Sequence, residues 1–175
     1  MSKKIILPIL LIGLLGGCAA PATKESMIVR PNATSTPIKA EQKGKFVVKN
    51  VGGGSVTNPM WTSQVSKEAF DAALKESLAT AGYTSDAPLD GQYKIDADLV
   101  TLKQPMFGLT FDVVSTVNYR IYKDAFEKIM SITATGTATT SDAFVGMTRL
   151  KIANEKSMQQ NIAEFIKQLA ASDIK

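Results

Sequence analysis

Few side chains in this sequence could do chemistry. Asp96 and Asp98 stand two residues apart in an alternating stretch, so they share one strand face, where paired carboxylates can serve as acid and base. Pairs that cleave sugars usually come from different elements across a cleft, and Lys94 and Arg120 are available as surface partners, so a solvated charged face is expected. Gly52-Gly53-Gly54-Ser55 suggests a phosphate loop, but the Gly-Lys-Ser/Thr ending and a GxGxxG spacing are both missing, which leaves a flexible loop. Thr133, Thr135, Thr137 and Thr139 form a hydroxyl row, which is what the wet side of a strand favours. Arg149 opens the last helical segment, where the helix dipole disfavours a cation, so an ion pair with Glu155 or Asp142 is expected. The 175 residues include no histidine and one cysteine, which excludes imidazole relays and ligands, internal disulfides and thiolate zinc clusters. No catalytic residue, metal ligand or cofactor is expected.

The elements that would position these groups are legible from periodicity. Phe46 to Val51 reads as a first strand, stopped by the three glycines. Ser66 is a helix N-cap, with Val65 and Phe70 as a hydrophobic staple, and Phe70, Ala73, Leu74, Leu78 and Ala81 make one apolar stripe. Gly82 suits the left-handed residue after the last turn. Beyond a turn-rich stretch from Ser85 to Gly91, Tyr93, Ile95, Ala97 and Leu99 face one way. Phe111, Val113, Val117, Tyr119 and Ile121 follow on a third strand. Lys123 to Glu127 is a hairpin loop, and Met130, Ile132, Ala134, Gly136 and Ala138 face inward on a fourth strand. From about Met147 to Ala171 the spacing is helical, with Leu150, Asn154, Met158, Ile162, Phe165, Ile166 and Leu169 as the stripe and polar Asn154 as its weak link. The predicted fold class is α+β: strand, helix, three-stranded antiparallel meander, helix, with both helices on one face of the sheet.

Three loops carry large apolar residues. Asn58-Pro59-Met60-Trp61 holds the only tryptophan, which either closes the end of the core or meets a partner. Met106 and Phe107, in a proline-glycine turn, suit contact with a protein or lipid surface as well as a buried corner. Trp61, Met106 and Phe107 are therefore the candidate partner contacts. Phe144 and Met147 are expected to lock the loop before the last helix to the core.

The N-terminus determines the expected compartment. Lys3 and Lys4 precede an apolar run from Ile5 to Leu15, too short for the roughly 20 residues a membrane-crossing helix needs, in the order of an export signal. Leu15-Gly16-Gly17-Cys18 resembles a bacterial lipobox, and the resemblance implies cleavage before Cys18 and acylation of that residue, palmitate included. Residues 1–17 would then be a signal peptide, 18–45 an acylated cysteine with a flexible tether, and 46–175 a single domain. A tether of that length would reach about 30 Å. Removing Lys3 and Lys4 lowers 20 basic side chains to 18 against 16 acidic ones, a balance of +2 that argues little for nucleic acid. Ala19, where an inner-membrane retention signal would place Asp, implies the outer membrane and a domain facing the periplasm.

With lipobox, tether and element order together, the chain resembles small envelope lipoproteins of double-membraned bacteria, among them the lipopolysaccharide-assembly and YajG-type lipoproteins. Asn58-Pro59-Met60-Trp61, Gly136-Thr137-Ala138 and Ile152-Ala153-Asn154-Glu155 are similar to stretches of proteobacterial lipoproteins. The resemblance implies a non-catalytic accessory or assembly factor that binds an envelope protein or glycolipid. The alternative is a carboxylate-dependent enzyme acting on envelope lipids or sugars.

Overall fold

A computed structural model describes residues 19–31, 37–58, 62–85 and 92–174. Cys18, Trp61 and the turn-rich 86–91 lie outside the described residues. Four strands, β1 (Phe46–Gly53), β2 (Tyr93–Lys103), β3 (Phe111–Lys123) and β4 (Phe126–Ala138), form one sheet in the order β1-β2-β3-β4. The β2-β3-β4 meander is antiparallel, as expected, whereas β1 joins β2 in parallel. A parallel pair needs a crossover rather than a hairpin, and α2 (Lys67–Thr80) supplies it. With α3 (Gly146–Ala171) on β3 and β4, the two helices cover one face of the sheet.

Local chemistry explains these boundaries. The Ser66 side chain accepts from the Ala69 backbone N–H at 3.1 Å, which caps α2, and Val65 and Phe70 are buried in the same core cluster, as a staple requires. At the other end Gly82 has φ +83, its N–H reaches Ala79 O at 2.9 Å, and the Tyr83 N–H reaches Leu78 O at 2.9 Å. This is a Schellman termination, closed by the buried pair Tyr83 and Leu78. A bulge between Val48 and Asn50 explains why β1 buries Phe46, Val48 and Val51 instead of strictly alternating residues. The first strand also runs two residues further than expected, into Gly52 and Gly53. The hairpin between β3 and β4 is shorter than the five residues expected, only Asp124 and Ala125, with Asp124 at φ +50.

Ile95, Ala97, Val117, Tyr119, Met130 and Ile132 from the sheet share the main core with Phe70, Leu74, Leu78, Met158, Ile162 and Phe165 from the helices. Contact between α3 and β4 is closest at Gly136, where a Cβ would collide with the backbone of Ala153 and Ser157. Between the main core and the helix lies a buried polar seam. The Tyr119 hydroxyl donates to Asn161 Oδ1 at 3.0 Å, Asn161 Nδ2 donates to Ile132 O at 3.0 Å, and the Ser157 hydroxyl donates to Ser115 Oγ at 2.8 Å. Tyr119 also stacks on Phe165, and its complete burial pushes the phenol pKa up.

The flexible-tether expectation for 18–45 does not hold for 19–31 and 37–45. Instead a short turn, α1 (Lys24–Met27), rests on both α2 and α3, with Met27 and Ile28 in the main core. Val29 N–H donates to Ser77 Oγ at 2.9 Å, and Gln159 Nε2 donates to Ile28 O at 2.9 Å. Buried Gln42 then donates through Nε2 to Leu169 O and Ile174 O, both at 3.1 Å, tying the segment before β1 to the end of α3 and the residues after it. A segment that buries this many apolar side chains offsets its own ordering entropy, and the low-complexity composition hid this.

Candidate functional site

The loops after β1, after β2 and after β4 all emerge at one end of the sheet, which is also where α2 and α3 begin. A small satellite core of Phe111, Val113, Ala138, Leu150 and Ala153 closes that end from within. Above it the loops display apolar side chains to solvent: Val56 is 87% exposed, Met106 83%, Phe107 85%, Leu109 75% and Phe144 91%.

Two buried polar hubs hold this rim in shape. The first is Arg149, in the opening turn of α3. Its Nη1 donates to Ala143 O at 2.9 Å and Phe144 O at 3.0 Å, its Nη2 donates to Gly108 O at 3.1 Å, and its guanidinium lies 4.9 Å from the Phe111 ring centroid. The expected ion pair with Glu155 or Asp142 is not what forms. Arg149 instead pins the loop before α3 to the loop after β2 through backbone carbonyls, which do not depend on loop charge. Phe144 does not lock its loop to the core. Arg149 holds the backbone on both sides of it, leaving the ring in solvent.

The second hub is Asn154, expected as the weak point of the α3 stripe. It is fully buried, donates to Ser63 O at 3.1 Å and accepts from Gln104 Nε2 at 2.8 Å. Gln104 Nε2 also donates to Ser63 O at 2.9 Å, while its Oε1 accepts from Thr62 Oγ1 at 3.0 Å. A polar residue in the stripe is thus what joins the loop before α2 to the loop after β2.

The same end receives the chain directly after Cys18. Ala19 is buried, Ala20 O accepts from the Ser63 hydroxyl at 2.7 Å, and the Ala22 N–H reaches Gln64 O at 3.0 Å. Thr23 donates through its backbone N–H and its hydroxyl to Glu155 Oε1, at 2.8 and 2.9 Å. Residues 19–23 are therefore stitched to the rim.

The remaining groups stay apart from this end or are already engaged. Asp96 accepts from Asn50 at 2.9 Å and faces Arg120 at 3.8 Å on the open sheet face, and Asp98 is exposed beside it. Arg120 is held chiefly by Glu127, which raises its pKa. Thr133 pairs with Thr116 across the strands, and Thr137 donates to Asp112. Asp142 is held down to about 2, first by Lys156 at 2.7 Å and then by the Thr139 backbone N–H. Gly53 and Gly54 take positive φ where the chain passes tightly over Leu99 and Val65, a backbone turn with no anion cradle around it.

A groove of about 640 Å³ runs beside the free edge of β4, between Ser131, Thr133 and Thr135 on the strand and Gln160, Glu164 and Lys167 on α3. Gln168, and then Lys167, hold the Glu164 carboxyl below its usual pKa. Among the described residues no group of three or more His, Cys, Asp or Glu could hold a metal, and no helix is long and apolar enough to cross a membrane.

The sheet order and the placement of the helices define an α+β fold of one four-stranded sheet under two helices. A Xanthomonas campestris protein of the DUF330 family has the same fold, with a TM-score of 0.54 at 10% identity over 87% of this chain and 94% of its own. Looser likenesses are a Chlamydia trachomatis hypothetical protein (TM-score 0.45, 12% identity, 74% of this chain and 94% of that one) and a candidate lipoprotein of Caulobacter crescentus (0.42, 10%, 73% and 87%). No protein-family model and no curated protein matches the chain.

Proposed function

We propose that this chain is a bacterial envelope lipoprotein, acylated at Cys18, which works without catalysis as an accessory or assembly factor for an envelope protein or glycolipid. The observation that carries this reading is the junction at residues 19–23. The chain that follows the lipobox cysteine is stitched by Ser63, Gln64 and Glu155 to the end that exposes Met106 and Phe107. An anchor fixed to the body in this way serves a protein that acts at a membrane. Outer-membrane location facing the periplasm, from Ala19 after the cysteine, and a kinship with the YajG-type and lipopolysaccharide-assembly lipoproteins belong to the same proposal.

Among the described residues no strand pairs with the outer edge of β4, so that edge, short of Thr137, whose carbonyl accepts from Lys156, is the surface suited to a protein partner that adds a strand. Replacing Cys18 by Ala is expected to leave unlipidated precursor and to remove the protein from the outer-membrane fraction. Crosslinking through Thr133→Cys or Thr135→Cys in cells, followed by gentle extraction and mass spectrometry, is expected to recover one envelope protein or glycolipid reproducibly. Recovery of nothing above a Ser85→Cys control, or unchanged fractionation of Cys18→Ala, sinks the reading.

A further inference from the structure

We infer that the apolar loop end is a membrane-contact surface, seated on the same bilayer that holds the acyl chains of Cys18. This inference rests on the acylation proposed above and adds to it an orientation and a second, non-covalent lipid contact.

The first argument is reach. Consecutive Cα atoms are about 3.8 Å apart, so Cys18 lies within one such step of Ala19. Ala19 is buried, and the next residues are hydrogen-bonded to the loop before α2. The acyl chains therefore start at the body itself, and whatever surrounds that point faces lipid. A protein partner would have to pass between this end and the bilayer, and even one helix is about 10 Å across.

The second argument is composition. The loops that share this end with the junction display Val56, Met106, Phe107, Leu109, Phe144 and Val145, all exposed. Residues 19–23, 54–58, 62–66 and 104–110 carry no charged side chain, and 139–145 carries only Asp142, neutralised by Lys156 at 2.7 Å. The nearest exposed charges, Lys67, Glu68, Lys103 and Asp112, sit behind these loops at the element ends, so a shallow seat in the headgroup boundary takes the aromatic and aliphatic side chains out of water while those charges stay wet. The far end, by contrast, has Lys43, Lys45, Lys123, Asp124, Glu127 and Lys128, which would resist that transfer. The loops are also fixed in shape before contact, by Arg149 and Asn154, so little ordering is left to be lost on docking.

The strands run from one end to the other, and β4 has 13 residues, which sets the β3–β4 hairpin about 40 Å from the bilayer. The open edge of β4 then stands side-on above the membrane, accessible to a partner.

The test uses the acylated, signal-cleaved chain in vesicles of phosphatidylethanolamine and phosphatidylglycerol. Phe107→Cys and Phe144→Cys place an environment-sensitive fluorophore on the rim, and Ala125→Cys places it on the hairpin. All three positions are exposed, so the fold is kept, which far-ultraviolet circular dichroism verifies. With a spin-labelled quencher on the lipid acyl chains, the rim labels are expected to shift to the blue and to be quenched several-fold more than the label at 125. Rim labels as wet as the hairpin label, on protein that still floats with the vesicles, overturn the inference and leave the anchoring intact. Absence of acyl groups by mass spectrometry, together with failure to float, overturns the anchoring and the inference with it.

Discussion

The two ends of the sheet solve the same problem with different chemistry. At the hairpin end, β3 turns into β4 through Asp124 and Ala125, with Lys123, Glu127 and Lys128 around a half-exposed Phe126, and Gln42 packs at the end of α3. At the loop end, three longer connections meet with Asp142 as their one charged side chain, and their shape depends on Arg149 and Asn154 below them. A tight turn with charged neighbours is held by its own backbone and by water. Loops that display Phe and Met gain nothing from water, and without internal anchors those side chains would fold back into the satellite core. At the loop end the buried hubs Arg149 and Asn154 tie separate loops to one another, whereas buried Gln42 at the hairpin end serves the end of a helix.

The largest effect is expected at the sheet–helix contact that supports the loop end. Gly136→Val drives a branched side chain into the α3 backbone and should cost about 3 kcal/mol or more in urea unfolding, since backbone cannot move aside as a side-chain tip can. Arg149→Leu should cost about 2–3 kcal/mol, because three carbonyls lose a charged donor. More tellingly, amide exchange should accelerate across 104–110 and 139–145 and stay unchanged at 122–127. Equal acceleration at both ends would break the comparison. Asn154→Leu fills the stripe with an apolar side chain yet should still cost about 2 kcal/mol, by leaving Gln104 and Ser63 short of a partner. It should also loosen residues 19–23, read as faster proteolysis there.

Smaller effects separate charge from shape. The folded pKa of Asp142, about 2, lies below its ordinary 3.8. Its contribution is therefore complete above about pH 4 and is lost as pH falls through the folded value. Thermal unfolding followed from pH 5 to pH 2 should show a steeper loss for the parent chain than for Asp142→Asn. The smallest effect belongs to the rim itself. Met106→Ser and Leu109→Ser should change stability by less than about 0.5 kcal/mol, because neither side chain is part of the core. A large loss would mean that the rim is structural.

Much of the fold was legible because it depends on local rules. Ser66, Val65 and Gly82 mark the ends of α2 through the backbone groups next to them, and the alternation of Tyr93 to Leu99, Phe111 to Ile121 and Met130 to Ala138 determines which strand face is inward. The parallel pairing of β1 was not legible, since strand direction relative to a distant partner leaves no mark in periodicity. Of the exposed apolar residues at the loop end, Met106 and Phe107 stand out in the sequence by their turn, but Phe144, Leu109 and Val56 do not. A lack of charge shared by several loops becomes a signal only once those loops are known to lie at the same end. Asn154 looked like a defect in its stripe because its partners, Ser63 and Gln104, are 91 and 50 residues away.

By itself the sequence determined the absence of histidine and so of imidazole chemistry, the identity of most elements and the inward face of each strand. These depend on residue type and near neighbours. Only the tertiary structure decided that residues 19–31 pack against the helices rather than trail as a tether, that Arg149 serves backbone carbonyls rather than a carboxylate, and that the loops displaying exposed apolar residues share one end of the sheet with residues 19–23. Each of these depends on contacts between residues far apart in the chain, and it is the packing of α2 and α3 on one sheet that brings those contacts to one place.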